Sequence, residues 1–221
     1  MIGKEINLLA KYPKTKRDVS KRGEEKTEEH RKIARQFEKE FFDGDRNVGY
    51  GGFSYNPKFW TDVVKDMANF YKLKSGDKIL DIGCAKGFML YDFIKLNAKF
   101  DVTGIDISKY AIDNCIEELK GKLKTCNALS LPFPDNYFDL VISINTHHNL
   151  EGEEIIKAFK EMQRVTKKNS YVILDAYSNE REKEELMKWN LTAKTIKHID
   201  DWKIFFKKID YKGDYYWFKQ L

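Results

Sequence analysis

The ten residues Ile79-Leu80-Asp81-Ile82-Gly83-Cys84-Ala85-Lys86-Gly87-Phe88 constrain this chain more than any other stretch. Ile79, Leu80 and Ile82 form a short apolar run of the kind that fills a central parallel strand, whose two faces are both covered by helices. Gly83 and Gly87 then let the backbone turn tightly against a ligand, and a helix over residues 88–95 follows at once. The first N–H groups of that helix lack intrahelical partners, so they point back at whatever the turn holds. Strand, glycine turn and helix start in this order imply a doubly wound α/β sheet with a nucleotide-type ligand at its edge.

The spacing separates two ligand classes. A dinucleotide fingerprint reads G-x-G-x-x-G, whereas here Asp81 precedes G-x-x-x-G. A carboxylate at that position repels a pyrophosphate and suits an ammonium group. The run Phe100-Asp101-Val102-Thr103-Gly104-Ile105-Asp106-Ile107-Ser108 reads as a second strand, with Asp106 placed 19 residues after Gly87. Strand two lies beside strand one in such a sheet, so its terminal carboxylate faces the same crevice and can accept two ribose hydroxyl protons. The alternative is that Asp106 or Ser108 caps a helix over 111–119, and Ser108 has the residue type for it. Asp139-Leu140-Val141-Ile142-Ser143-Ile144 reads as a further buried strand opening into Asn145-Thr146-His147-His148-Asn149.

Residues 78–177 resemble the class I S-adenosylmethionine-dependent methyltransferases, in their small-molecule branch. The stretch Cys126-Asn127-Ala128-Leu129-Ser130-Leu131-Pro132-Phe133-Pro134-Asp135-Asn136-Tyr137-Phe138-Asp139 is similar to that family's D-A-x-x-L-P-F-P-D-x-x-F-D almost residue for residue. The resemblance implies a Rossmann-like, mainly parallel sheet with helices on both faces and S-adenosylmethionine as cofactor. It implies that Asp81, Gly83, Cys84, Ala85 and Gly87 surround the methionine end, that Asp106 binds the ribose, that Ile107 lies against adenine, and that Asn127, Ala128 and Asn145 complete the site. Asn127 stands where the family usually has aspartate; its amide oxygen can accept the same hydrogen bond without charge. The run 161–172 resembles the family's R-V-L-K-P-G-G turn, with Asn169 and Ser170 in place of the glycines, so asparagine's tolerance of positive φ is expected to keep the turn. The fifth strand is then expected over 171–177.

The composition is that of an ordinary globular chain, 42% hydrophobic and 34% charged over 221 residues. Its apolar runs are strand-length and its first residues lack a secretory h-region, so neither a membrane span nor export is expected. Cys84, Cys115 and Cys126 are odd in number and have no C-x-x-C spacing, which fits reduced thiols in a cytoplasmic protein. No metal site is expected. Residues 1–22 carry seven basic against two acidic residues and so account for the whole net charge of +5. That arm can grip phosphates on RNA or can be a solvated tail.

Residues 1–57 are expected to form the arm, a helix over 24–42 and a Gly/Tyr-rich lid, and 58–221 the methyltransferase domain. The segment 43–57 holds four glycines with Tyr50, Phe53 and Tyr55. In similar methyltransferases the segment before the core closes over the cofactor, although these tyrosines could equally staple the helix down. Helices are expected over 59–71, 152–165, 181–189 and 202–209, with an aromatic strand over 214–219. The reaction implied is in-line methyl transfer, in which the protein positions the acceptor and excludes water. A proton acceptor, if one is needed, would be His148 or His147, since imidazole titrates near neutral pH; Tyr50 is a third catalytic candidate. Tyr50, Tyr55, Tyr177, Trp189 and Trp217 could form an aromatic box for an amine cation or simply be core. A small-molecule acceptor is expected first, an RNA or protein acceptor reached by the basic arm second, and a non-catalytic cofactor-binding partner subunit third. Nothing in the chain states its oligomeric form.

Overall fold

A parallel sheet organises the chain. The computed structural model describes residues 3–13 and 26–218, in which seven strands are found: β1 (Lys78–Ile82), β2 (Asp101–Asp106), β3 (Leu123–Thr125), β4 (Phe138–Ile144), β5 (Thr166–Tyr177), β6 (Lys197–His198) and β7 (Asp214–Phe218). Their order is β3-β2-β1-β4-β5-β6, and every strand pairing is parallel. The outer edge of β5 carries β7 opposite Tyr171 to Asp175 and β6 opposite Ala176 and Tyr177. The order reverses between β1 and β4, which opens a crevice at the carboxyl ends of those strands.

Alternation along the strands fills two layers. One face sends Leu80, Ile82, Val141, Val172 and Leu174 against α6 (Gly152–Val165) and α8 (Ile199–Lys208), where Phe159, Met162, Trp202 and Phe206 are buried. The other sends Ile79, Leu140, Ile142, Tyr171 and Ile173 against α3 (Pro57–Phe70) and α4 (Phe88–Leu96). Each fully buried large apolar side chain contributes roughly 1.5–3 kcal/mol of transfer free energy. The start of α3 follows from local chemistry: Asn56 accepts from the Lys58 N–H, and Pro57 sits where a missing N–H costs nothing.

Several expectations are corrected. The helix over 24–42 is broken, among its described residues, into α1 (Glu28–Ala34) and α2 (Lys39–Asp43), because Phe37 takes the left-handed conformation at φ 53° and turns its ring edge-on to Phe41. The helix over 111–119 shortens to α5 (Lys109–Asp113) and a 3₁₀ turn at Glu117–Leu119; the Ile116 N–H donates to the Lys86 carbonyl instead of continuing the helix. No turn occurs at Asn169. The strand β5 starts directly after α6, Asn169 pairs with Leu140, and a positive φ of 53° falls instead on Asn136, in the loop before β4. The ambiguous stretch 191–199 is a loop followed by β6, while α7 covers Glu180–Trp189. Residues 4–6 run alongside β7, with Ile6 N–H donating to the Tyr215 carbonyl at 2.9 Å. Most of the basic arm, residues 14–22, lies outside the described residues; of the rest, Lys11 pairs with Asp66 at 2.8 Å.

Candidate functional site

The turn after β1 is shaped by backbone that side chains oppose. Gly83 has φ +82° and Gly87 φ +81°; a Cβ on Gly83 would fall 2.0 Å from Thr146 Oγ1, and one on Gly87 2.4 Å from Leu119 Cδ1. Glycine is therefore required here for both conformation and space. The N–H groups of Gly83 and Cys84 both donate to the Ile105 carbonyl, at 2.7 and 2.9 Å, which holds the turn against the end of β2.

Two carboxylates converge on it. Asp106 accepts from the Ala85 N–H at 2.8 Å and from the Ser108 N–H at 2.9 Å. Helix capping is left to the Ser108 hydroxyl, which accepts from Ala111 N–H at 3.1 Å. The second carboxyl group is unpaired: Asp81 is 4% exposed, and among the described residues no donor pairs with its side chain. Burial, and then the charge of Asp106, push its carboxyl up to about 8. A bound cation is what such a group lacks. Cys84 is buried beside it, and burial pushes its thiol up, so it is not a nucleophile. Beyond Asp106, Ile107 stands 53% exposed as an uncovered apolar surface. The loop after β3 is tied to β2 by Cys126 N–H donating to the Asp106 carbonyl at 2.8 Å. Asn127 turns its amide oxygen to the Leu129 N–H at 2.9 Å, leaving a single lone pair for a ligand, and Ala128 packs on the core edge.

The end of β4 departs most from expectation. Asn145 has φ 53°, donates its N–H to the Ile173 carbonyl at 3.0 Å, and leaves Oδ1 buried without a partner among the described residues. Both histidines of the turn after β4 are buried. His147 is fully buried, with Nδ1 2.7 Å from the Ser143 hydroxyl and its ring 4.6 Å from that of Phe159, and burial pushes it down to about 4. His148 accepts the Asp175 N–H on Nδ1 at 2.9 Å and bonds the Asn145 carbonyl, so both nitrogens are committed to backbone; burial also lowers it. Adjacent residues on a one-turn helix with both rings inward are core polar groups. A buried acid that sequence reasoning did not single out is Asp175, 8% exposed near the carboxyl end of β5, with Oδ2 3.8 Å from His148 Nδ1 and a carboxyl raised by burial. Its signal was an aspartate closing the apolar run Val172-Ile173-Leu174.

The glycine-rich segment lies over the turn. Lys86, 6% exposed inside the cofactor-type turn, places Nζ 2.5 and 2.7 Å from the two Asp43 oxygens and 3.1 Å from the Phe53 carbonyl. Tyr110 donates to the same Asp43 at 2.7 Å. Nothing in the sequence marked this clasp, because its partners are 43 residues apart. Tyr50 stacks on Phe41 with centroids 5.4 Å apart and donates its hydroxyl to the Gly52 carbonyl at 2.6 Å. Although the residue is 39% exposed, desolvation of the hydroxyl and then the charge of Asp106 raise its phenol further above neutrality, so it stays protonated near Asp106.

The five-membered aromatic box does not form. Tyr55 donates to Asp92 at 2.7 Å and packs edge-on to Tyr91, stapling the loop to α4. Trp217 lies in the core, stacked 6.2 Å from Phe206. Trp189 has Lys26 Nζ 4.5 Å over its ring, and Tyr177 has Lys183 Nζ 5.6 Å over its own. Tyr177 does line a separate cavity of about 570 Å³ between α1 and the α7–β6 segment. No helix among the described residues is long and apolar enough to cross a membrane.

Comparison with known proteins accords with this geometry. Residues 73–220 match a family model described as a methyltransferase domain. The chain is 33% identical over 140 residues to a tRNA (carboxymethyluridine(34)-5-O)-methyltransferase of Arabidopsis thaliana, covering 62% of this chain and 33% of that protein, so it spans about a third of that relative's length. It is 32% identical over 173 residues to the uncharacterized protein MJ0638 of Methanocaldococcus jannaschii, covering 72% of this chain and 68% of the other. The fold is shared with the YcgJ protein of Bacillus subtilis, at a TM-score of 0.52 and 19% identity over 66% of each chain. Since the family match takes in every strand from β1 to β7 and the turns between them, the chain belongs to the methyltransferase domain family, among the class I S-adenosylmethionine-dependent methyltransferases.

Proposed function

We propose that the protein transfers a methyl group from S-adenosylmethionine to a nitrogen or oxygen of an RNA nucleotide. The observation that carries the cofactor half is the buried, unpaired carboxyl of Asp81 beside a glycine cradle that a Cβ would fill. When bound, the cofactor supplies a methyl group already activated on a sulfonium. Asp81 neutralises the ammonium of the methionine end, Asp106 accepts the ribose hydroxyls while two backbone N–H groups hold it in place, Asn127 accepts from the adenine amine, and Ile107 covers the ring. Residues 39–55, clasped to Lys86 through Asp43, exclude water over this end. Asp175 is the candidate proton acceptor, since a carboxylate raised by burial is a stronger base than an exposed one.

The acceptor half rests on two supports. The curated relatives include a tRNA methyltransferase of Arabidopsis thaliana and a protein of Mus musculus named as a probable tRNA methyltransferase. In addition, the protein's own ammonium groups cover the rings of Trp189 and Tyr177, which opposes a cationic amine acceptor. A compact anionic metabolite is the second reading, favoured by the bounded volume of about 570 Å³ beside Tyr177. A labelled-methyl assay on an RNA fraction and on a metabolite fraction separates the two. Ribonuclease-sensitive label is expected; label confined to metabolites replaces RNA with the second reading. Cofactor binding without transfer to either fraction leaves the partner-subunit role. Asp106→Ala should abolish cofactor binding by calorimetry, and normal binding in that variant refutes its assignment.

A further inference from the structure

The cavity beside Tyr177 opens on the edge of the sheet that holds the glycine turn. Tyr177 ends β5, Glu151 follows the turn after β4, and Ile196 precedes β6. Its volume of about 570 Å³ lies within the span of small-ligand pockets, roughly 300–1,000 Å³. Its charge is one-sided: Arg31, Arg35, Lys183 and Lys194 line it against Glu28 and Glu151. Both carboxylates are already engaged, Glu28 with Arg31 Nη1 at 2.7 Å and Glu151 with Lys194 at 3.5 Å. Arg31 is also anchored by its Nε donating to the Asn190 carbonyl at 3.1 Å, and its side chain is 16% exposed, so its guanidinium is held rather than free-swinging. Lys183 pairs with Glu180 at 3.1 Å, outside the cavity lining, and among the described residues no carboxylate pairs with Arg35. Positive potential therefore remains in a concave site whose low-dielectric walls strengthen it.

We infer that this cavity is the acceptor pocket and that Arg35 and Lys183, beside the anchored Arg31, recognise a phosphate ester of the acceptor nucleotide. Recognition by a guanidinium fork next to an ammonium suits a tetrahedral anion. The nucleotide part of the inference rests on the RNA reading above; the anion preference rests on the cavity alone. The α1 wall is contributed by the N-terminal segment and the opposite wall by the segment after β5, so the pocket exists only when the two are folded together.

The test is calorimetry on the full chain saturated with S-adenosylhomocysteine, titrated separately with the four ribonucleoside 5′-monophosphates, their nucleosides and inorganic phosphate. At least one monophosphate should bind about tenfold or more tighter than its nucleoside, and tighter than inorganic phosphate. That preference should vanish in Arg35→Glu/Lys183→Glu while affinity for S-adenosylmethionine stays within about twofold of wild type. Arg35→Gln, a milder change at the same exposed position, reads the same preference if the double variant loses cofactor binding. Equal affinity for nucleoside and monophosphate, or a preference that survives these substitutions, overturns the inference. Inorganic phosphate binding as tightly as the monophosphates overturns the nucleotide class. A monophosphate preference in a protein that methylates no RNA supports the pocket and overturns the RNA reading instead.

Discussion

Asp81→Asn should stabilise the ligand-free fold while removing affinity for the cofactor. The Asp81 carboxyl lies at about 8 in the folded chain, against roughly 3.9 for an unfolded aspartate. Below pH about 4 both states hold the proton and the group costs nothing. Between about 4 and 8 the unfolded chain releases the proton while the folded chain keeps it, so stability falls by about 1.4 kcal/mol per pH unit. Above about 8 both states are ionised and the loss levels off. Some four units of separation amount to a cost on the order of 5 kcal/mol, large against a typical total of 5–15 kcal/mol. Asparagine has nearly the same shape and no titration, so the variant should lack this slope. Urea unfolding of both proteins without ligand, from pH 5 to 9, reads the difference: the gap should widen with pH and flatten above 8. S-Adenosylmethionine should close it by restoring wild-type stability alone, because its ammonium neutralises the ionised carboxylate. Parallel pH curves for the two proteins, or normal cofactor affinity in the variant, would refute the reasoning.

Other substitutions probe other parts of the site. Gly83→Ala forces a left-handed alanine, at about 1–2 kcal/mol, and drives its Cβ into Thr146, at about 1–3 kcal/mol more; urea unfolding should show the sum, and Thr146→Ala should recover only part of the steric share. A loss below about 0.5 kcal/mol would show that the turn yields. Asp43→Asn leaves the buried Lys86 ammonium without its charge partner, and on the order of 2 kcal/mol of lost closure should speed cofactor dissociation roughly thirtyfold in stopped flow; an unchanged rate would detach the clasp from cofactor retention. His147 is pushed down to about 4, so stability is complete above its unfolded value near 6.5 and falls by about 3 kcal/mol as pH drops to 4. His147→Gln should abolish that part of the acid sensitivity. With both histidines buried and their pKa values lowered, the pH profile of kcat should show no histidine limb, and one that disappears in His148→Gln would restore that residue as a base.

Local pattern carried much of the architecture. The apolar run before Gly83, the glycine pair and the acid closing β2 were legible because a buried strand and a glycine turn leave their signature within ten residues. Ser108 was legible as a cap for the same reason, since its bond reaches only three residues ahead. The left-handed Phe37 was not, because periodicity describes a helix continuing and says nothing of an aromatic cluster that rewards breaking it. Asn169 misled because the helix runs straight into β5, and the positive φ moved across the sheet to Asn136.

The site divides along the same line. Residue types at the strand ends were determined by short-range sequence: Asp81, Gly83 and Asp106 could be named with their geometry because the doubly wound topology sends every carboxyl end to one edge. Which side chains face that edge was decided by packing between distant segments. His147 and His148 turned inward onto Ser143, Phe159 and Asp175, and Trp217 was drawn into the core by Phe206. The basic cavity joins Arg31 to Asn190, 159 residues apart, and no window of sequence spans such a contact. Hydrophobic period and backbone stereochemistry act between neighbours in the chain, whereas burial and charge pairing act between neighbours in space; the first determined the glycine turn and the strand ends, and the second determined which side chains line the basic cavity.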